Sequence, residues 1–220
     1  MGGLPWEDEV RRRLLEDYVF GLTGKERPRV LFVPTAVADA PDLTLWGYSA
    51  LGDRARVSHV SFFPWPPDDL RKAALEQDVI FVSGGNTANA LAIWRVHGVD
   101  VALREAWERG AVLGGWSAGA NCWFEDSVTD SYGPRLRELG GGLGFLAGSF
   151  CPHFDGEPER RPTYTRLVRD GVLPPGYAAD DDAAFHFEDT ELREVVSQRE
   201  GARGHRIGVD GEQPVDARVL

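Results

Sequence analysis

Apolar positions along the chain change their period several times, and those changes mark out the elements. Val10, Leu14, Leu15, Tyr18 and Val19 recur at helical spacing, which predicts an amphipathic helix over 10–20 that stops before Gly24. Val30-Leu31-Phe32-Val33 is an unbroken apolar run closed by Pro34, the form expected of a parallel strand covered on both faces. A helix over 42–54 and a strand over 57–63 follow. The alternation then repeats, with a short helix over 70–75, a strand over 79–82, helices over 88–96 and 101–108, and a fourth strand over 111–115 that runs into a glycine-rich turn. Strands alternating with helices predict an α/β domain with a mostly parallel sheet, whose ligand sites lie at the carboxyl ends of the strands.

After Gly140 the texture changes. Gly140-Gly141-Gly142 precedes a strand over 149–151, a helix over 164–169 and an apolar stretch over 184–188. Residues 194–198 and 205–209, joined across Gly201, predict a closing hairpin. No repeat, low-complexity tract or linker divides the chain, so residues 1–220 are expected to form a single domain.

Composition narrows the function classes. Twenty-four basic against 35 acidic side chains give a formal charge of −11, with no basic face to neutralise phosphates, so nucleic acid is not an expected partner. No stretch approaches the ~20 apolar residues that span a bilayer, so no membrane partner is expected. Two cysteines, Cys122 and Cys151, are too few to staple a small secreted domain, and acidic Glu7-Asp8-Glu9 stands where a signal peptide would be apolar; a cytoplasmic protein is expected.

Gly115-Trp116-Ser117-Ala118-Gly119 matches Gly-x-Ser-x-Gly, between an apolar strand and a helix predicted over 118–124. The small flanking residues permit the sharp turn that exposes a serine hydroxyl, and the helix behind it supplies N–H groups. A serine hydroxyl needs a base, and of the five histidines His153 suits best. It follows the 149–151 strand in Cys151-Pro152-His153-Phe154-Asp155, which predicts the same carboxyl edge of the sheet as Ser117. The loop Ser83-Gly84-Gly85-Asn86-Thr87 ends the third strand, and Gly85 with Ala118 would supply the two oxyanion donors. No lysine follows its glycines as a phosphate loop requires. No set of His, Cys or carboxylate residues has a metal spacing, and Asp180-Asp181-Asp182 lacks the spaced partners of a calcium loop; neither metal nor other cofactor is expected.

Gly114 to Asn121, Gly84-Gly85-Asn86-Thr87 and Pro152-His153-Phe154 together resemble peptidase family S51, which contains peptidase E and the cyanophycinases. The resemblance implies a three-layer α/β/α sandwich similar to class I glutamine amidotransferases, a serine nucleophile at Ser117, a histidine base at His153, no cofactor and a small peptide as substrate. It also implies a triad aspartate in the loop after the nucleophile, but the same count forward lands on Ser131 or Tyr132. Asp130 fits if that loop is shorter, and Glu125, eight residues past Ser117, is the second choice, ahead of Asp126. Asn86 of the glycine turn is assigned to substrate binding. Asp181 lies in the acidic strand entry seen in the family and is assigned to a substrate amino group. Arg160 and Arg161, displaced by a position or two from the family's arginine for an acidic first residue, complete the expected substrate set. Cyanophycinase-like action on β-aspartyl peptides, a small esterase whose late histidine would be His186 or His205, and a binding domain with a vestigial elbow are the alternatives, and self-association as a homodimer is left open.

Overall fold

The computed structural model describes residues 1–5 and 8–220; Glu7 of the acidic opening lies outside the described residues. The chain divides into two compact units, residues 16–119 and residues 1–15 with 120–220. It passes between them within α1 (Glu9–Gly21) and again directly after the Gly-x-Ser-x-Gly turn.

The first unit is built on four parallel strands, β1 (Arg29–Val33), β2 (Arg56–His59), β3 (Val79–Val82) and β4 (Val112–Gly115), in the order β2-β1-β3-β4. Between them run α2 (Pro41–Leu51), α3 (Leu70–Leu75), α4 (Thr87–His97) and α5 (Val99–Glu108). Residues 30–33 and 79–82 are all buried, as unbroken apolar runs covered on both faces should be. Among the helices that follow β2, α5 packs on both α3 and α4. The strand order reverses between β1 and β3, and at that switch point the loop after β3 meets the turn after β1: the Asn86 N–H donates to the Ala36 carbonyl at 2.7 Å. Trp94, fully buried on α4, donates from Nε1 to Thr35 Oγ1 at 3.1 Å and ties the same turn to the helix.

The second strand is shorter than its apolar pattern predicts. The Asp39 carboxylate accepts the N–H groups of Phe62 and Phe63, which takes those donors out of any ladder, and β2 stops at His59.

The boundary after Gly119 divides the short helix α6 (Ala118–Asn121), and the second unit continues with β5 (Phe124–Thr129), β6 (Arg137–Gly140), β7 (Leu146–Cys151), α7 (Arg160–Arg169), β8 (Gly176–Ala179), β9 (Ala183–Glu188), β10 (Glu191–Ser197), β11 (Gly204–Gly208), β12 (Gly211–Val215) and β13 (Arg218–Val219). A six-stranded mixed sheet has the order β12-β11-β8-β7-β5-β6, and a three-stranded sheet the order β13-β10-β9. The helix expected over 118–124 is a single turn, because Phe124–Thr129 pairs with β6 and β7 and those ladders override the local helical pattern. The hairpin expected between 194–198 and 205–209 does not form. β10 turns back on β9 through Asp189, which has φ 51°, while β11 turns into β12 at Asp210-Gly211, where Gly211 has φ 124°. Asp-Gly is the stronger turn signal of the two that were available. Val128, Cys151, Phe154, Tyr164, Leu167, Val168 and Ile207 form the core between the sheet and α7. Among the described residues no helix is long and apolar enough to cross a membrane.

Asn86 is the N-cap of α4, its side chain accepting the Asn89 N–H at 2.9 Å. Asn86→Ala is expected to cost about 1 kcal/mol of stability, the usual loss of such a cap, measured as a lower urea midpoint at unchanged slope.

Candidate active site

The expected nucleophile and base fall in different units, Ser117 in the first and His153 in the second. In the first, β4 ends at Gly115 and the backbone turns left-handed at Ser117, with φ 55°. A non-glycine residue held there costs on the order of 1–3 kcal/mol and persists only where its surroundings fix it. The glycines around it do the fixing. A Cβ on Gly115 would stand 2.6 Å from the Val82 carbonyl oxygen, and one on Gly119 2.2 Å from the same atom, so α6 is seated directly on the end of β3. A Cβ on Gly84 would meet Trp116 Nε1 at 2.6 Å and the Ser117 Cβ at 3.3 Å. Gly85, at φ 129°, lies against the Ala36 carbonyl. Trp116 is buried among Phe32, Phe81 and Trp46, with ring centroids 5.6–6.2 Å away, and holds the residue before the serine. Because α6 is one turn long, it offers individual N–H groups rather than a helix dipole.

In the second unit His153 follows β7 and is also left-handed, with φ 55°. Phe154, fully buried, anchors the next position, and its N–H donates to the Ala179 carbonyl at 3.0 Å. His153 Nδ1 lies 2.7 Å from Asp181 Oδ1, both side chains being partly exposed. Burial alone would raise the Asp181 carboxyl. The hydrogen bond and charge of His153, the Arg199 cation and the Gly3 N–H outweigh it and hold the group below the ordinary aspartate value. Gly3 and Gly156 wrap this carboxylate closely: a Cβ on Gly3 would stand 2.3 Å from Oδ1, and one on Gly156 2.0 Å from Oδ2. Each member of Asp180-Asp181-Asp182 has its own partner. Asp180 meets His205 Nε2 at 3.0 Å, Asp181 meets His153, and Asp182 meets Arg199 Nε at 2.9 Å.

The expected residues are distributed differently from their assignment. Ser117 and His153 end strands of two different sheets, not of one. The carboxylate at His153 is Asp181, assigned from sequence to substrate. Asp130 directly follows β5, with its side chain 58% exposed and 3.8 Å from Arg160, and Glu125 accepts the Gly148 N–H at 2.9 Å. Neither meets the imidazole: Glu125 lies within the strand Phe124–Thr129, and Asp130 follows directly on its paired end at Thr129. Arg160 is buried and committed, donating to Glu157 at 2.7 Å and to the Val128 carbonyl at 3.3 Å. Arg161 is half-exposed and stacks over Phe154 at 4.7 Å. Neither Cys122 nor Cys151 is in a disulfide; both are buried, and burial pushes both thiols up, away from the thiolate form a nucleophile needs. Gly3, Asp155 and Arg199 were not singled out from sequence; they lie 178, 26 and 18 residues from Asp181, beyond any local motif.

Comparison with known proteins places this chain in a family. Residues 1–195 match the model of peptidase family S51. The chain is 47% identical over 208 residues to the uncharacterized peptidase YgaJ of Bacillus subtilis (strain 168), covering 94% of this chain and 90% of that protein. In fold it is similar to a peptidase from an acI-B1 Actinobacterium, with TM-score 0.69 at 17% identity over 92% of this chain and 88% of that one. It is also similar to a putative peptidase E protein of Listeria monocytogenes EGD-e, with TM-score 0.52 at 18% identity over 89% and 91%. The chain belongs to peptidase family S51.

Proposed function

We propose that this peptidase is a serine peptidase of short peptides, acting through an acyl-enzyme, with Ser117 as nucleophile, His153 as general base and Asp181 as the acid of the triad. The observation that carries the reading is the 2.7 Å bond between His153 Nδ1 and Asp181 Oδ1. An ionised carboxylate accepts only, so Nδ1 carries the hydrogen, and Nε2 is left as the nitrogen that removes the Ser117 proton. The strained elbow supports the same reading, because backbone strain held in place by close glycine packing is a mark of functional sites.

In this mechanism Ser117 Oγ attacks the peptide carbonyl while His153 takes its proton. The N–H groups of Gly85 and Ala118 receive the developing oxyanion, and His153 then delivers the proton to the departing amine. Water repeats the sequence to release the acid product. Of the two arginines, Arg160 is buried, whereas Arg161 is half-exposed, stacked on Phe154 and 3.8 Å from Glu212, and is the one assigned to an acidic substrate group.

Ser117→Ala is expected to reduce peptide turnover on the order of 10⁶-fold, the loss seen when a triad serine is removed, and to abolish labelling by a fluorophosphonate probe with the fold intact by circular dichroism. Near-normal turnover by that variant would sink the serine mechanism. Asp181→Asn is expected to cost about 10⁴-fold in turnover, as loss of a triad carboxylate does, whereas Asp130→Asn and Glu125→Gln stay within roughly tenfold of wild type. The opposite ranking would return the acid to β5.

A pH dependence follows from the depressed Asp181. Its contribution to stability is present above the unfolded aspartate value, ~3.9, and is lost as pH falls through the lower folded value. Below pH ~4, wild type should therefore lose stability more steeply than Asp181→Asn, read from urea midpoints across an acid series.

A further inference from the structure

We propose that Arg199 is a positioning residue for the His153–Asp181 pair: through Asp155 and Asp182 it clamps the peptide of Asp181 on both sides and so aims its carboxylate at the imidazole. The inference rests on the proposed triad and assigns the device that orients its acid.

Every bond of the clamp is present. Arg199 Nη2 donates to Asp155 Oδ2 at 2.8 Å and to the Asp181 carbonyl at 3.2 Å, while Nε donates to Asp182 Oδ2 at 2.9 Å. Asp155 uses its other oxygen, Oδ1, to accept the Asp181 N–H at 2.8 Å. The N–H and C=O of Asp181 are thus both held from one guanidinium, the first through Asp155 and the second directly. What remains to Asp181 is its carboxylate, which meets His153 and the Gly3 N–H.

Asp182 needs the same hold for a second reason. It is left-handed at φ 71°, and its carboxylate is buried and receives Gln198 Nε2 at 3.2 Å and, at 3.4 Å, the Arg11 guanidinium as well as Arg199. The turn that presents Asp181 is therefore closed by charge as well as by backbone. Gly3 and Gly156 leave the carboxylate no slack, so a small rotation of the Asp181 peptide would break its bond to Nδ1 rather than be absorbed.

An arginine is required by the geometry. Its planar fork offers Nε and Nη2 to two different carboxylates and a carbonyl at fixed angles, which a lysine ammonium on a flexible stem does not reproduce. Placing the three acids around one cation also limits the repulsion among Asp155, Asp181 and Asp182, which the fold brings together from two segments.

The test uses the whole protein and two readouts. The first is the rate at which a fluorophosphonate probe labels Ser117; the second is the far-downfield proton resonance of His153 Nδ1–H, which reports its bond to Asp181 and does not involve the serine. Arg199→Gln, Arg199→Lys and Asp155→Asn are each expected to slow labelling on the order of 10- to 100-fold, the range found when the outer partner of an oriented ligand is lost, and to broaden or abolish the resonance. The double variant Arg199→Gln/Asp155→Asn should be little worse than either single, since both cut one clamp. Melting temperatures are measured in parallel, and Asp155→Asn keeps the test decisive if Arg199→Gln is poorly folded. A downfield resonance retained in folded Arg199→Gln and Asp155→Asn, or absent from wild type, overturns the inference. Failure of the probe to label wild type, with the resonance present and lost in the variants, would instead overturn the serine reading and leave the clamp standing.

Discussion

Left-handed backbone at Ser117, His153 and Asp182 is the constraint on which the candidate site depends. None of the three is glycine, so each position is unfavourable for an isolated chain and survives only where packing leaves no alternative. At Ser117 the alternative is removed by Gly84, Gly115 and Gly119, whose missing side chains let α6 rest on the end of β3 and let the β3 loop lie against Trp116. At His153 it is removed by the buried Phe154 and its backbone bond to Ala179. At Asp182 it is removed by ionic and hydrogen bonds from the segment that follows β10.

The acids around His153 illustrate how a negatively charged chain concentrates carboxylates without losing the fold. Asp155, Asp180, Asp181 and Asp182 lie close together, yet each faces a cation or an N–H group: Arg199, His205, His153, Arg11 or Gly3. The exposed ion pairs elsewhere, such as Arg218 with Glu194, are solvated and add little. The partly buried network differs because bonds between charged partners there act with less screening and in fixed directions. Its effect is geometric: it sets the direction of one carboxylate.

The switch point in the four-stranded sheet has a similar economy of parts. Reversal of strand order between β1 and β3 opens the edge at which the loops after β1, β3 and β4 gather, and the buried Trp94–Thr35 bond and the Asn86–Ala36 bond fix two of them. Asn86 is therefore a structural cap, and the glycine turn it closes is held independently of any substrate.

By itself the sequence determined the order of strands and helices in the first unit, since unbroken runs such as 30–33 and 79–82, bounded by turn residues, fit doubly buried strands, and it singled out the elbow and the histidine, whose motifs are short and contiguous. It determined the family for the same reason. Only tertiary structure decided the partner of that histidine. Asp181 is 28 residues from His153, and the competing carboxylates Asp130 and Glu125 were nearer the serine in sequence; what separates them is the strand at Phe124–Thr129, whose pairing with β6 and β7 depends on residues far along the chain. The second sheet, the exchanged hairpin partners and the Arg199 clamp were hidden for the same cause: ladders and ion pairs between distant segments have no local period, so nothing in a window of sequence records them.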